Sequence, residues 1–179
     1  MKRIAKFHKV SLEQFKKDWI DTFGLDEEAN IEEIYENIKL PRRATAGSAG
    51  YDFFAPVRLI LAPGETIKIP TGIRVEMEPE WVLKCYPRSG LGFKYRLQLN
   101  IQWGSSTAYY FIQTMKVICF PRSPDTNEEK TIDIAQGEGF MQGIFVEYGI
   151  TLDDDVTDVR NGVLEVLPNK KHRILHKCK

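Results

Sequence analysis

The chain has 179 residues, with 25 Lys and Arg against 25 Asp and Glu, 42% hydrophobic residues and three cysteines. That is one domain's length, with enough apolar content for a core, and the balance argues against intrinsic disorder. A net charge of zero excludes the broad positive field of a general nucleic-acid binder, though not a small basic pocket for one phosphorylated ligand.

The N-terminal run Met1 to Lys6 is basic, but no signal-peptide core follows it, and no apolar run approaches the roughly 18–20 residues of a membrane span. The expected compartment is the cytosol, with no membrane partner. Cys85, Cys119 and Cys178 are far apart and form no CxxC pair, which speaks against a disulfide framework or a zinc knuckle and reads as plain thiols.

A helix is expected first. Ser11 is a fitting N-cap, with Gln14 three residues on to complete a capping box. Leu12, Phe15, Trp19 and Phe23 follow at helical spacing, and Gly24 is a stop. A second helix is expected from about Ala29 to Lys39, ended by Pro41. The acidic run Asp26-Glu27-Glu28 reads as a solvated first turn, suited to the helix dipole.

After Pro41 the period changes. Tyr51–Ala55, Thr66–Ile69, Ile73–Met77, Trp81–Tyr86 and Gly143–Tyr148 read as strands, with turns at Pro63-Gly64 and near Pro79. Many short strands with Gly and Pro punctuation predict a mainly β fold, a sandwich or barrel-like domain with a small helical addition in front.

Three segments can carry chemistry. Ala44 to Asp52 is a run of small residues leading into a strand that carries a carboxylate. Cys85 to Gly92 places Arg88, Ser89 and Gly90 just after a strand, where a guanidinium fork, a hydroxyl and backbone N–H groups can donate to phosphate oxygens. Gly137 to Phe145 is a turn into an apolar strand with one amide, Gln142. Each also has a plain structural reading: a tight turn, a turn with an exposed Arg, and a structural amide.

In order, the three resemble the trimeric dUTPase family. Ala44 to Asp52 looks like its first motif, Ala-Thr-x-Gly-Ser-Ala-Gly-x-Asp, and Pro87 to Leu91 like its second, Pro-Arg-Ser-(Ser/Gly)-Leu. Gly137 to Gln142 loosely resembles its fourth, Gly-Asp-Arg-x-x-Gln. Leu61-Ala62-Pro63-Gly64-Glu65 and Pro70-Thr71-Gly72-Ile73 are similar to its connecting segments. The likeness spans about Ile38 to Asn100 and Asp125 to Gly162.

The resemblance implies a jelly-roll homotrimer with active sites at subunit interfaces, hydrolysing dUTP to dUMP and pyrophosphate with Mg²⁺ on the phosphates. It implies that Arg88, Ser89, Gly90 and Gln142 bind substrate and that Asp52 holds the metal through water. The related dCTP deaminase branch fits less well, because the Pro87–Leu91 and Gly143–Gly162 contexts look like the dUTPase side.

Two family motifs are missing. The third resembles Asn-x-x-Gly-x-Ile-Asp-x-x-Tyr and in the family supplies uracil-reading backbone, a sugar-packing Tyr and the water-activating Asp. Here Asn100 is followed by Ile-Gln-Trp-Gly-Ser-Ser-Thr-Ala through Ala108, and no Asp lies between Asp52 and Asp125. The fifth, Gly-Gly-Phe-Gly-Ser-Thr-Gly, is replaced by Val163-Leu164-Glu165-Val166-Leu167.

Both departures look like reading-frame shifts. The codons AAC AAT ACA GTG GGG ATC ATC GAC AGC spell a family-like Asn-Asn-Thr-Val-Gly-Ile-Ile-Asp-Ser. Without one base after the first codon they spell Asn100 to Ala108 of this chain. Likewise GGT TTT GGA AGT ACT GG without its first base spells Val163 to Leu167.

The expected organisation is a helical extension over residues 1–39, a β domain over 40–162 whose residues 101–124 are irregular, and an aberrant tail over 163–179. On this reading the basic run Asn169 to Arg173 is an accident of frame rather than a nucleic-acid patch. His172 and His176 lack a third ligand nearby, and Asp153-Asp154-Asp155 reads as a solvated turn. A non-catalytic nucleotide-binding relic is the alternative function.

Overall fold

The computed structural model describes residues 2–24, 30–100, 109–112, 115–119 and 130–155. In chain order the elements are β1 (Ala5–Lys9), α1 (Leu12–Phe23), α2 (Ile31–Glu36), β2 (Arg42–Arg43), β3 (Tyr51–Phe54), β4 (Leu59–Leu61), β5 (Thr66–Ile69), β6 (Ile73–Met77), β7 (Trp81–Pro87), α3 (Ser89–Tyr95), β8 (Leu97–Asn100), β9 (Tyr109–Ile112), β10 (Met115–Cys119), β11 (Ile132–Ile134) and β12 (Gly139–Glu147). The strands form small antiparallel sheets in the orders β1-β6-β9, β5-β10-β8, β11-β4 and β2-β3-β12-β7. This mainly β arrangement is consistent with a jelly roll.

The N-terminal extension is more than helical. Ala5–Lys9 forms a strand that pairs with β6, Phe7 opposite Val75. Its short, charge-rich sequence carries no alternation strong enough to announce a strand. The partner edge of β6 supplies the missing information, and Phe7 packs its ring against Tyr51, Phe53 and Phe145. In α1, Ser11 accepts from the Gln14 backbone N–H at 3.2 Å, as the N-cap reading requires. The Gln14 side chain, however, turns to Asp18 at 2.9 Å instead of closing the capping box. Phe15 and Trp19 are buried in the same apolar cluster as Phe53, Ile69, Val75 and Phe140.

The second helix is shorter than its periodicity suggests, Ile31–Glu36, with Asn30 as N-cap accepting from Glu33 N–H at 3.1 Å. Asp26 to Glu28 lie outside the described residues. Lys9 Nζ ties this helix to β1 by donating to the Tyr35 and Glu36 carbonyls at 2.8 and 2.9 Å, while Tyr35 Oη donates to Val10 O at 2.7 Å. Gly72, at φ +68°, lets α1 and the chain after α2 close on the β domain. A Cβ there would lie 2.5 Å from Ile38 Cδ1 and 3.1 Å from Phe15 Cδ2.

Two strands, β9 and β10, fall within the stretch expected to be irregular, and they pair with β6 and with β5 and β8. Backbone pairing needs no particular side chains, only extended backbone beside an open edge. The rest of residues 101–124, and all of 163–179 with His172 and His176, lie outside the described residues. Asp153 to Asp155 are exposed, and the Asp154 N–H closes a turn onto Thr151 O at 3.2 Å.

Candidate functional site

The four-stranded sheet builds the site. Asp52 on β3 stands opposite Gln142 on β12 and Arg42 on β2, and Gln142 stands opposite Tyr86 on β7. Directly opposed residues of antiparallel strands share a face. Arg42, Asp52, Gln142 and Tyr86 therefore form one row across the sheet, although the chain separates its ends widely. Asp52 is 7% exposed and Gln142 Nε2 donates to its Oδ1 at 2.8 Å. A buried carboxylate needs such a partner, because an unsatisfied one bears the full cost of leaving water.

Gly50 packs beside this pair at ordinary contact distance. A Cβ there would touch the Gln142 side chain at 3.4 Å. The loop before it is self-bonded: Thr45 Oγ1 and Ser48 Oγ lie 2.8 Å apart, and Arg43 Nη1 donates to Ala46 O at 2.8 Å. These bonds give the small-residue run of the first motif a fixed shape.

Arg88 joins the group from the end of β7. Its backbone N–H donates to Phe140 O at 3.2 Å, which seats it on β12. Its Nε lies 3.9 Å from Asp52 Oδ1, and its Nη1 donates to Gly139 O at 3.4 Å. Gly139 sits beside a register shift in β12. A Cβ on it would be 2.9 Å from Arg88 Nη1 and 3.3 Å from Cδ, so the absent side chain is what lets the guanidinium lie down on the strand. Sequence reasoning missed this role, although Gly139 stands where the fourth motif of the family has an Arg.

Ser89 and Gly90 are exposed and open the first turn of α3, with Arg88 as N-cap. The segment forms a short helix: Leu91 and Gly92 N–H both donate to Arg88 O, at 2.9 and 2.8 Å. That leaves the Ser89 and Gly90 N–H groups, which precede these two, without an acceptor inside the helix and able to donate to a ligand's oxygens. Asp52, Gln142 and Arg88 are thus in contact, with Ser89 and Gly90 next in the chain.

Cys85, opposite Gly143, is a free thiol, and burial pushes its pKa up to about 12, so it stays neutral and is not a nucleophile. Among the described residues no group of three His, Cys, Asp or Glu is placed to hold a metal ion. A single carboxylate with one oxygen already bonded still suits a hard cation that keeps most of its waters and takes its other ligands from substrate phosphates.

The family model for dUTPase matches residues 36–159. The chain belongs to the dUTPase family. It is 39% identical over 112 residues to the deoxyuridine 5'-triphosphate nucleotidohydrolase of Methylococcus capsulatus, covering 61% of this chain and 70% of that one. To the Escherichia coli K12 protein of the same name it is 35% identical over 137 residues, covering 72% of this chain and 87% of that one. Among solved structures it is similar to the dUTPase of Staphylococcus bacteriophage 80alpha with dUpNHpp, at a TM-score of 0.58 and 18% identity, covering 92% and 94% of the two chains. The dUTPase of the S. aureus phage phi11 is similar at a TM-score of 0.57 and 17% identity, covering 89% and 100%. These structural likenesses support the fold. Family membership supports a hydrolase of nucleotide metabolism, and no helix among the described residues is long and apolar enough to cross a membrane.

Proposed function

We propose that the site is that of a dUTP diphosphatase, splitting dUTP into dUMP and pyrophosphate. The observation that carries this is the meeting of Asp52, Gln142 and Arg88, drawn from three segments that each match a family motif. Arg88, Ser89, Gly90 and Gln142 hold the phosphates. An Arg fork bonds two phosphate oxygens at once, and backbone N–H groups add donors that need no side-chain reorganisation. Asp52 keeps Arg88 at hand and would hold Mg²⁺ through water, a cation that would supply neutralising charge to the phosphates. Attack of water on the α-phosphorus breaks its bond to the α–β bridging oxygen. Pyrophosphate leaves, and the water's proton passes to a base.

That base is the weak point. No Asp occurs between Asp52 and Asp125, so the third motif contributes no carboxylate. General base catalysis typically supplies about 10²–10⁴-fold. The chain therefore has little or no turnover, because two single-base frame shifts replaced the third and fifth motifs. The second reading, a nucleotide-binding protein without turnover, is favoured by this same missing Asp. The protein works in the cytoplasm, binds no nucleic acid, and assembles as a homotrimer. Phe93, 86% exposed on α3 close to the phosphate-binding residues, is suited to an interface between copies.

Pyrophosphate release from dUTP, with Mg²⁺, compares the chain as written with one restored in both frames at equal folded concentration. Recovery of turnover and uracil selectivity only in the restored chain supports the reading. Equal turnover from both means that Asp52 or Glu138 serves as base. Ammonia release from dCTP would instead place the chain on the deaminase branch. Resequencing the locus tests the frame shifts directly: if no single-base change restores the two motifs, they did not occur.

A further inference from the structure

Two further cations stand on this side of the sheet: Arg42, from the row that holds Asp52, and Lys39, just ahead of it in the chain. Phe54 lies two residues beyond Asp52 on β3, on the same face, and opposite Gly139, the residue on which Arg88 rests. Two cations reach the Phe54 ring: Lys39 Nζ at 5.8 Å from its centroid and Arg42 Cζ at 5.9 Å. Arg42 is also the partner of Asp52 across β2 and β3. Among the described residues Lys39 Nζ donates only to a backbone carbonyl, Gly137 O, at 3.4 Å.

Among the described residues neither Lys39 nor Arg42 forms an ion pair. Both are exposed. The one carboxylate in the group, Asp52, is engaged by Gln142 and Arg88. Glu138 directs its carboxylate to the Ala135 N–H at 3.1 Å. Lys39 and Arg42 thus share the Phe54 ring, and Arg42 and Arg88 flank one committed carboxylate. Like charges held together without counter-charge repel, and a polyanion relieves that repulsion. The aromatic ring holds the two added cations in place without neutralising them.

We propose that Lys39 and Arg42, held on Phe54, form a cationic subsite continuous with Arg88 that takes the outer phosphates of the nucleotide. This rests on reading the Arg88 site as a nucleotide site. In a chain whose closing C-terminal motif is replaced, these two residues supply charge at the phosphate tail from the N-terminal side. Their contribution scales with the number of phosphates and is indifferent to the base.

Calorimetric titration of the full chain with inorganic tripolyphosphate and with dUMP tests this. Replacing both cations, Lys39→Gln with Arg42→Gln, is expected to weaken tripolyphosphate about 100-fold, about tenfold for each charge-assisted hydrogen bond removed. The double variant should leave dUMP within about twofold, and Lys39→Arg with Arg42→Lys should restore most of the tripolyphosphate affinity. If Arg88→Lys weakens both ligands but the double Gln variant binds tripolyphosphate like the unmodified chain, this subsite is wrong and the nucleotide site stands. If the unmodified chain binds neither ligand, both fall. A second measurement needs no variant: tripolyphosphate should protect Lys39 from amine acetylation, read by peptide mass spectrometry. Equal labelling with and without it overturns the proposal.

Discussion

Gln142 Nε2 donates to Asp52 Oδ1 at 2.8 Å, joining two strands whose residues stand 90 apart in the chain. That bond satisfies a carboxylate buried to 7% exposure and places it next to Arg88. Gln142→Leu removes the donor and leaves the oxygen without it. The expected loss is about 1–3 kcal/mol of folding stability, read as a lower urea midpoint at unchanged slope. A change below about 0.5 kcal/mol, the range of an ordinary surface substitution, would show that Asp52 finds another donor.

Arg88→Lys should weaken triphosphate binding by about tenfold or more with little effect on stability, because an ammonium cannot copy a bidentate fork. Titration with a non-hydrolysable dUTP analogue measures it. Unchanged affinity would make Arg88 a surface residue held by Asp52.

Gly139→Ala acts on the same guanidinium indirectly. The new Cβ meets Arg88 Nη1 at 2.9 Å, the far end of a flexible side chain that can swing away. Binding should fall in the manner of Arg88→Lys while the melting temperature barely moves. Gly72→Ala is the contrast: a positive φ and an Ile38 methyl at 2.5 Å leave no cheap escape, so destabilisation of about 1–3 kcal/mol is expected from overpacking alone. If thermal melts rank the two in the opposite order, the packing at Gly72 is not as close as described.

The pH dependence has a definite sign at Asp18. Burial, opposed by the Gln14 hydrogen bond, raises its pKa above the ordinary 3.8. The folded state then binds more protons than the unfolded one between 3.8 and the raised value, so stability falls as pH rises through that window and stays lower above it. Asp18→Asn keeps an acceptor for Gln14 and removes the charge. It should raise the melting temperature at pH 7 and have a much smaller effect near pH 3, where the acid is protonated. A constant difference across the range would remove the ionisation from the explanation.

At Asp133 the sign is reversed. Its hydrogen bonds from Arg58 hold the pKa below the ordinary carboxylate value. The associated stability is present above the unfolded pKa and is lost as pH falls through the folded one. The pair is exposed and screened by solvent, so Asp133→Asn should flatten the acid limb of a melting curve only slightly, and added salt should remove the difference.

Much of this protein is local and therefore legible in the chain. The change of period at Pro41, Ser11 as N-cap and the strands Thr66–Ile69 and Ile73–Met77 follow from short-range spacing and turn chemistry, and the structure has them at those positions. The ordered motifs at Ala44–Asp52 and Pro87–Leu91 are enough to name the family. They also single out Asp52 and Arg88, as the looser fourth motif singles out Gln142, because a family motif holds particular residues at fixed local spacings.

What tertiary structure alone decided is everything that depends on a partner distant in the chain. The strand Ala5–Lys9 exists because β6 has an edge to pair with, and Phe7 is fixed because it meets Tyr51, Phe53 and Phe145. The use of Gly139 is visible only when Arg88 lies across it, and the two cations on Phe54 come together only through the pairing of β2 with β3 and β3 with β12. Spacing along a chain encodes periodicity and turns. Register between strands is set by the burial of one face, which commits every residue on the other face to its neighbours.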